Sequence, residues 1–389
     1  MVGAIALAHG TVDAYAAFLH PLLPRMMAKL GLSITLAATL VVSLSIASAV
    51  LQPALGYVAD RYGRRLLLAA GPIVTGVFLS LMGSAPSFAI LVAFLVLGGL
   101  GAAAFHPPGA ALAARAAEGR GSGFRLSVFS FGGATGFALG PLIAVAVVSA
   151  FGLEGLWVAM LPGILLGAVL LLLLRGEEGR PARPPPHPLR VLALLRGPLG
   201  LAFGISALGA LVQRTFLTLE PIIADRAGVS EAAGAVILST YLGSQALGTL
   251  TSGWLTDRLD RRHVLVGAIV LGVPAHMVAF LAAPGAPLAL MAAVAAGFLN
   301  MALLPPVVVM AQEMVPEGVA VSSGVVMGLA WATGAVGVLG TGALADAIGP
   351  VAAAAWTMPL LLFGAALALH PALRPFGRGA WHAARLSQP

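Results

Sequence analysis

Gly56-Tyr57-Val58-Ala59-Asp60-Arg61-Tyr62-Gly63-Arg64-Arg65 recurs as Gly253-Trp254-Leu255-Thr256-Asp257-Arg258-Leu259-Asp260-Arg261-Arg262. Position 56 maps to position 253, an offset of 197, and Gly31-Leu32-Ser33 maps to Gly228-Val229-Ser230 at the same offset. Further upstream Val12-Asp13 matches Val212-Gln213, and Leu19-His20-Pro21 matches Leu219-Glu220-Pro221. Each copy of the ten-residue stretch joins two long apolar runs. The chain therefore reads as two halves of one design, both inserted in the same sense, as in parallel repeats related by an axis along a membrane normal.

The surroundings of the repeat specify the solvent. Of 389 residues, 59% are hydrophobic and only 9% charged. A soluble protein carries about 25% charged residues, so a soluble enzyme, a nucleic-acid-binding module and a disordered chain are excluded. Continuous apolar runs, rather than alternating ones, predict helical spans of about 20 residues each. Six fall at about 3–29, 33–58, 66–84, 88–113, 125–150 and 155–174, and six more at about 198–224, 231–256, 263–283, 286–312, 319–345 and 350–370. The fold class expected is an all-α membrane protein, with twelve transmembrane helices in two six-helix pseudo-symmetric halves. The halves are residues 1–174 and 198–389. Residues 175–197, with Gly179-Arg180-Pro181-Ala182-Arg183-Pro184-Pro185-Pro186-His187-Pro188, are too proline-rich for a continuous helix and form a linker.

Charge sets the orientation. Of the 21 Lys and Arg residues, seventeen fall on one side, in the loops after spans two, four, six, eight and twelve and in the linker. Only Arg25, Lys29 and Arg226 fall on the other, and Arg214 alone lies inside a span. The net charge of +7 thus reports arginine-rich loops, and the positive-inside rule puts both termini and the linker in the cytoplasm. The first span has no basic residue before Arg25 and contains Asp13, so it lacks a signal peptide's basic start and reads as a spanning helix. There is no cysteine, hence no disulfide, thiolate nucleophile or cysteine metal site.

Gly-x-x-x-Asp-Arg-x-Gly-Arg-Arg after the second span is similar to the loop signature of the major facilitator superfamily, and the second copy and the span pattern extend that resemblance over almost the whole chain. More narrowly, Leu51-Gln52-Pro53, Phe105-His106-Pro107, Gly132-Gly133 through Gly140-Pro141-Leu142, Ala311-Gln312-Glu313 with Pro316, and His9 with Asp13 resemble the fosmidomycin resistance protein family of bacterial efflux carriers. This resemblance implies a multi-pass transporter of the bacterial cytoplasmic membrane, not an enzyme.

Ionisable groups at membrane depth are costly and are functional candidates. His9 and Asp13, four apart, share a helix face, and a carboxylate with a nearby imidazole can load, relay and release a proton. They are the proton-coupling candidates, against the plainer reading of a local hydrogen bond and a solvated His9. Arg214, beside the repeat mate of Asp13, is a candidate for binding an anionic substrate group. Glu220 and its mate His20 read as outer-gate or surface positions, with Glu220 kept among the substrate-binding candidates. His106, followed by two prolines that free backbone carbonyls, is a candidate lining of the substrate path or else a packed histidine. His276, with no motif around it, reads as packing.

In the loop signature Gly56 permits close helix contact, Asp60 can cap a helix and pair with arginine, and Arg61, Arg64 and Arg65 sit at headgroup level. With Asp257 and Arg258, and with Arg115 and Glu313 at the ends of spans four and ten, they form a candidate cytoplasmic gate. Gly136, Gly140 and Pro141 match part of a pattern that the superfamily's proton-driven antiporters carry. Ser127 stands where that pattern has its first glycine and Ala144-Val145 where it has its final pair, and close helix packing explains the stripe equally well. No nucleotide-binding glycine loop and no metal-ligand spacing is visible, and no cofactor is implied. The partners expected are a small-molecule substrate, protons and membrane lipids, for a monomer that binds no nucleic acid. A proton-coupled exporter of small organic molecules is the leading reading. An importer, a lipid flippase and a membrane receptor remain alternatives.

Overall fold

A computed structural model describes residues 2–115, 122–174 and 193–377, less the side chains of residues 53, 60, 114–115, 122–127, 317 and 319–320. The described residues are helical with no strand. Six helices precede the linker: α1 (Val2–Leu30), α2 (Ile34–Ala59), α3 (Arg64–Ser84), α4 (Phe88–Ala113), α5 (Val128–Phe151) and α6 (Glu154–Leu173). Six follow it: α7 (Pro198–Arg226), α8 (Glu231–Thr256), α9 (Arg261–Leu281), α10 (Pro287–Met314), α11 (Val321–Ile348) and α12 (Pro350–Leu369). A single turn, α13 (Arg374–Gly377), ends the described chain.

Eleven of the twelve are long and apolar enough to cross a bilayer. The other, α8, has 26 residues, and its Ser239, Thr240, Ser244, Gln245, Thr249, Thr251 and Ser252 make it more polar. At 1.5 Å per residue it still exceeds the roughly 30 Å of a hydrocarbon core. Leu165, Leu250, Trp356 and Phe363 are exposed. On a soluble protein such side chains would form a hazard, and on a bilayer-spanning one they are the lipid-facing surface.

Contacts divide the chain into two compact units, Met1–Pro185 with Ser230–Ser239, and Pro186–Val229 with Thr240–Pro389. The expected linker at 175–197 has its first eighteen residues outside the described part. Within the first unit α1 packs on α5, α3 on α4 and α6, and α2 on α4; within the second α7 packs on α11 and α9 on α10 and α12. In the second unit α8 meets α10 through Gly248 beneath the Phe298 carbonyl and Gly297 beneath the Tyr241 carbonyl.

The short repeats have local physical meanings. Gly31 ends α1 with φ 64° and Gly228 ends α7 with φ 74°, a left-handed conformation glycine adopts without a Cβ penalty. Two residues on, Ser33 Oγ accepts from the Leu36 N–H at 3.2 Å and Ser230 Oγ from the Ala233 N–H at 3.3 Å, capping α2 and α8. Glycine stop and serine start are thus one turn used twice.

Candidate functional site

The α1–α5 seam is built on absent side chains. A methyl group at Gly136 would overlap the Gly10 carbonyl, one at Gly132 the Ala6 carbonyl, and one at Gly140 would lie 2.5 Å from the Ala14 carbonyl. The antiporter-like stripe of Gly136 and Gly140 is therefore, at least, a contact surface that lets two helix backbones meet. Pro141 continues within the same helix. The second unit repeats the device: a methyl group at Gly334 of α11 would lie 2.5 Å from the Ala207 carbonyl of α7.

Beside that seam the first unit holds a polar cluster carried by α1 and α4. His9 Nε2 lies 3.2 Å from Asp13 Oδ2, and His106 Nε2 lies 3.3 Å from Asp13 Oδ1. His9 stacks on Phe129 of α5 at 4.1 Å between ring centres, and its Nδ1 donates to the Phe129 carbonyl at 2.9 Å. A methyl at Gly133 would strike the His9 ring, so this glycine makes the space in which the ring sits. The three side chains are partly buried, at 13%, 20% and 25% exposed for His9, Asp13 and His106. Pro107 and Pro108 continue within the helix that carries His106.

The hydrogen bonding constrains the protons. A carbonyl only accepts, so Nδ1 of His9 carries hydrogen. In a neutral His9 the Nε2 lone pair would then face an Asp13 oxygen. Two acceptors in contact repel, so that gap calls for a positive charge or a proton. His106 can satisfy Asp13 Oδ1 as a neutral donor. Asp13 is thus a carboxylate between two imidazoles, a constellation suited to holding and passing one proton.

The second unit replaces this chemistry with neutral amides. Gln213, the repeat mate of Asp13, donates Nε2 to Gln245 Oε1 at 2.9 Å, and Asn300 Nδ2 donates to the Gly209 carbonyl at 3.0 Å. Arg214 lies next to Gln213 with its Nε unbonded, and among the described residues no carboxylate pairs with it. Glu220 is 5% exposed and His20 1%, so neither is a surface position, and Glu220 Oε2 has no hydrogen-bond partner. Glu220 and Arg214, six residues apart on α7, form no ion pair. His276 is packed: Nδ1 meets the Gly272 carbonyl at 2.7 Å and Nε2 the Tyr241 hydroxyl at 3.3 Å. A π-helical turn at Gly324–Leu329 of α11 leaves the Val326 carbonyl to the Ser206 hydroxyl of α7. Such turns recur at functional sites, and nothing in the sequence announces this one.

The two copies of the loop signature differ in their contacts. In the first, Gly56 lies against Pro107, Gly63 turns the chain with φ 111°, and Arg65 Nε donates to the Leu171 carbonyl of α6 at 2.9 Å. Arg61 and Tyr62 are exposed, with the guanidinium 5.7 Å from the ring centre. Arg64 follows Gly63 at the start of the next helix. The side chains of Asp60 and Arg115 lie outside the described residues. In the second copy Asp257 is exposed, and Arg258 stacks on Trp254 at 4.3 Å. Here the working carboxylate is Asp260, at the position of Gly63. It accepts from the Arg262 N–H at 2.9 Å and the guanidinium at 3.0 and 3.2 Å, which caps α9. Glu313 pairs with Arg261: its Oε2 is 2.6 Å from Nη1 of Arg261, whose side chain is only 6% exposed. The same Nη1 donates to the Phe376 carbonyl of α13 at 3.1 Å. Arg261 is a network residue that the sequence reading did not single out. Its position as the mate of Arg64 was the available signal.

Comparison with known proteins agrees with this architecture. The profile of the Major Facilitator Superfamily matches residues 5–213 and 200–378. The chain belongs to that superfamily. It is therefore a multi-pass membrane transporter rather than an enzyme. It is 28% identical to the MFS-type transporter YfnC of Bacillus subtilis strain 168 and 27% identical to the fosmidomycin resistance protein of Escherichia coli K12. Each alignment covers 89% of this chain and 86% of the relative. A bacterial homolog of the human lysosomal transporter Spinster, solved in an inward-facing and occupied conformation, superposes with a TM-score of 0.78 at 17% identity, covering 94% of each chain.

Proposed function

We propose that this transporter is a proton-coupled exporter, an antiporter of small organic or drug-like molecules working by alternating access. In this reading it acts as a monomer in a bacterial cytoplasmic membrane, with both termini and residues 175–197 in the cytoplasm. The observation that carries the coupling is Asp13 held between His9 and His106, 3.2 and 3.3 Å away. A coupling group must be charged in one part of the cycle and neutral in another. Asp13 has an imidazole on each oxygen to take up or supply that proton, and the second unit has only amides at the matching place. Arg214 suits an anionic group on the substrate, since no carboxylate of the described chain neutralises it. Glu220, a buried carboxyl on the same helix, is the acidic neighbour of that path. The loop signature and the Arg261–Glu313 pair act as the cytoplasmic gate. Outward carriage is favoured by the relative named for resistance to fosmidomycin.

The test is expression in an efflux-deficient bacterium, screened for growth on a panel of toxic compounds that includes fosmidomycin. Wild type is expected to raise tolerance to at least one compound. Asp13→Asn, which fixes the neutral form, is expected to remove that gain at equal membrane abundance. Undiminished tolerance with Asp13→Asn would overturn the coupling role. Uphill uptake of the same compound into reconstituted, inside-out vesicles with an imposed pH gradient then separates export from import.

A further inference from the structure

Two imidazoles and one carboxylate converge in the first unit from positions that no sequence spacing links: His9 and Asp13 on α1, His106 on α4. One ligand atom from each lies within 4.8 Å of the others. In a tetrahedral site with metal–nitrogen distances of 2.0–2.1 Å, neighbouring ligand atoms are about 3.3 Å apart. The observed separations are of that size, 3.2 Å from His9 Nε2 to Asp13 Oδ2 and 3.3 Å from His106 Nε2 to Asp13 Oδ1, each imidazole meeting its own oxygen of the one carboxylate. The residue types also fit, because imidazole with one carboxylate suits zinc, iron, cobalt and nickel rather than magnesium or calcium.

For His9 an outer-shell partner is in place as well. A ligating histidine usually donates its other ring N–H to a carbonyl or carboxylate, which orients the ring and fixes its tautomer. Nδ1 of His9 makes that bond to the Phe129 carbonyl, and the Phe129 ring stacks against the imidazole. This leaves Nε2, the nitrogen facing Asp13, as the free donor atom. Gly133 keeps the space beside the ring open.

We propose that His9 Nε2, His106 Nε2 and the Asp13 carboxylate form a binding site for a divalent first-row transition-metal ion of the Zn2+ type, with a further position open to water. The ion takes the place of the positive charge that the His9–Asp13 contact requires. It ties α1 to α4 and occupies the carboxylate, so that it acts as a brake on whatever Asp13 does in the cycle. The site rests on geometry alone and stands whether or not Asp13 couples protons.

The test uses the full-length chain, purified in detergent with its affinity tag cleaved and titrated with Co2+, whose visible d–d absorption reports nitrogen and oxygen ligation. One saturable Co2+ per chain is expected, displaced by Zn2+. His9→Gln and His106→Gln are each expected to weaken binding by at least about tenfold, the scale set by loss of an outer-shell partner, while His370→Gln leaves it unchanged. No saturable binding by wild type, or full binding by the His9→Gln/His106→Gln double variant, overturns the site. If a variant fails to fold, the wild-type chain suffices: Zn2+ should protect His9 and His106, but not His370, from carbethoxylation read by mass spectrometry. Equal modification with and without Zn2+ would refute the proposal. Because no pH gradient or substrate is used, a negative result here is separate from a negative result for proton coupling.

Discussion

Gly133 and Tyr15 show how single residues hold the site in place. Gly133 has no Cβ because the His9 ring, stacked on Phe129, occupies that space. Gly133→Ala must displace a ring that is stacked on Phe129 and bonded to its carbonyl. It is expected to lower transport to near the Asp13→Asn level without lowering membrane abundance, whereas Gly3→Ala, whose added methyl meets nothing within 4 Å, should be neutral. Wild-type tolerance with Gly133→Ala in the same growth assay would show that the ring can move. Tyr15 acts differently. Its hydroxyl donates to the Ala159 carbonyl at 2.5 Å and accepts from the Gly163 N–H at 3.0 Å, the two groups that helical i to i−4 bonding would otherwise join. Tyr15→Phe removes both bonds from a buried position and should cost about 1–3 kcal/mol. The readout is a lowered thermal midpoint in detergent; an unchanged midpoint would mean the helix closes over the gap.

Among the elements, the glycine seams and the α9 cap are the most exposed to test. Adding a methyl to an exposed helical glycine gains about 1 kcal/mol in helix propensity, so Gly340→Ala, with nothing within 4 Å, should be neutral or stabilising. Gly136→Ala drives the same methyl into the Gly10 backbone, and overpacking of this kind costs about 1–3 kcal/mol. Net destabilisation is expected for Gly136→Ala and also for its counterpart Gly334→Ala, measured by unfolding in detergent. Stabilisation of either would show that the seam opens freely. At the start of α9, burial works against the charged form of Asp260. The hydrogen bonds and charge of Arg262 outweigh it and hold the carboxyl below its ordinary value of 3.8. A depressed carboxyl stabilises the fold above the ordinary value, and that contribution is lost as pH falls below 3.8 through the folded value. Asp260→Ala should cost about 0.5–2 kcal/mol at neutral pH, and Asp260→Asn less, because an amide oxygen still caps the Arg262 N–H. The Ala variant's deficit should shrink in acid; a deficit constant down to pH 3 would contradict the ion-pair account.

At the scale of the whole molecule, the prediction is orientation. By the positive-inside rule, seventeen basic residues on one side against three on the other predict that residues 175–197 lie in the cytoplasm. The chain has no cysteine, so a single one introduced at Arg183 can be labelled without background. It is expected to resist a membrane-impermeant maleimide in intact cells and to react after permeabilisation. Labelling in intact cells would reverse the topology. The same charge distribution explains why a protein of net charge +7 need not bind nucleic acid: its arginines are spent on loop ends beside the membrane.

Composition and periodicity were enough for the helical, membrane-spanning class, because continuous apolar runs of this length have no other stable solvent. Local chemistry read well too: Gly31 with Ser33 and Gly228 with Ser230 depend on backbone conformation and a bond three residues away, both written in the adjacent sequence. The pair His9 and Asp13 was legible because a helix puts residues four apart on one face. What the sequence could not show was the third member. His106 stands nearly a hundred residues from Asp13, and only the packing of α4 on α1, beside the glycine seam that seats α5 against α1, brings an imidazole to the second carboxylate oxygen. The same holds at the loop signature. Repetition pointed to Asp257, yet the ion pairs form at Asp260 and Arg261, because capping depends on which side chain meets the first free N–H of α9 and which carboxylate the tertiary fold delivers to it.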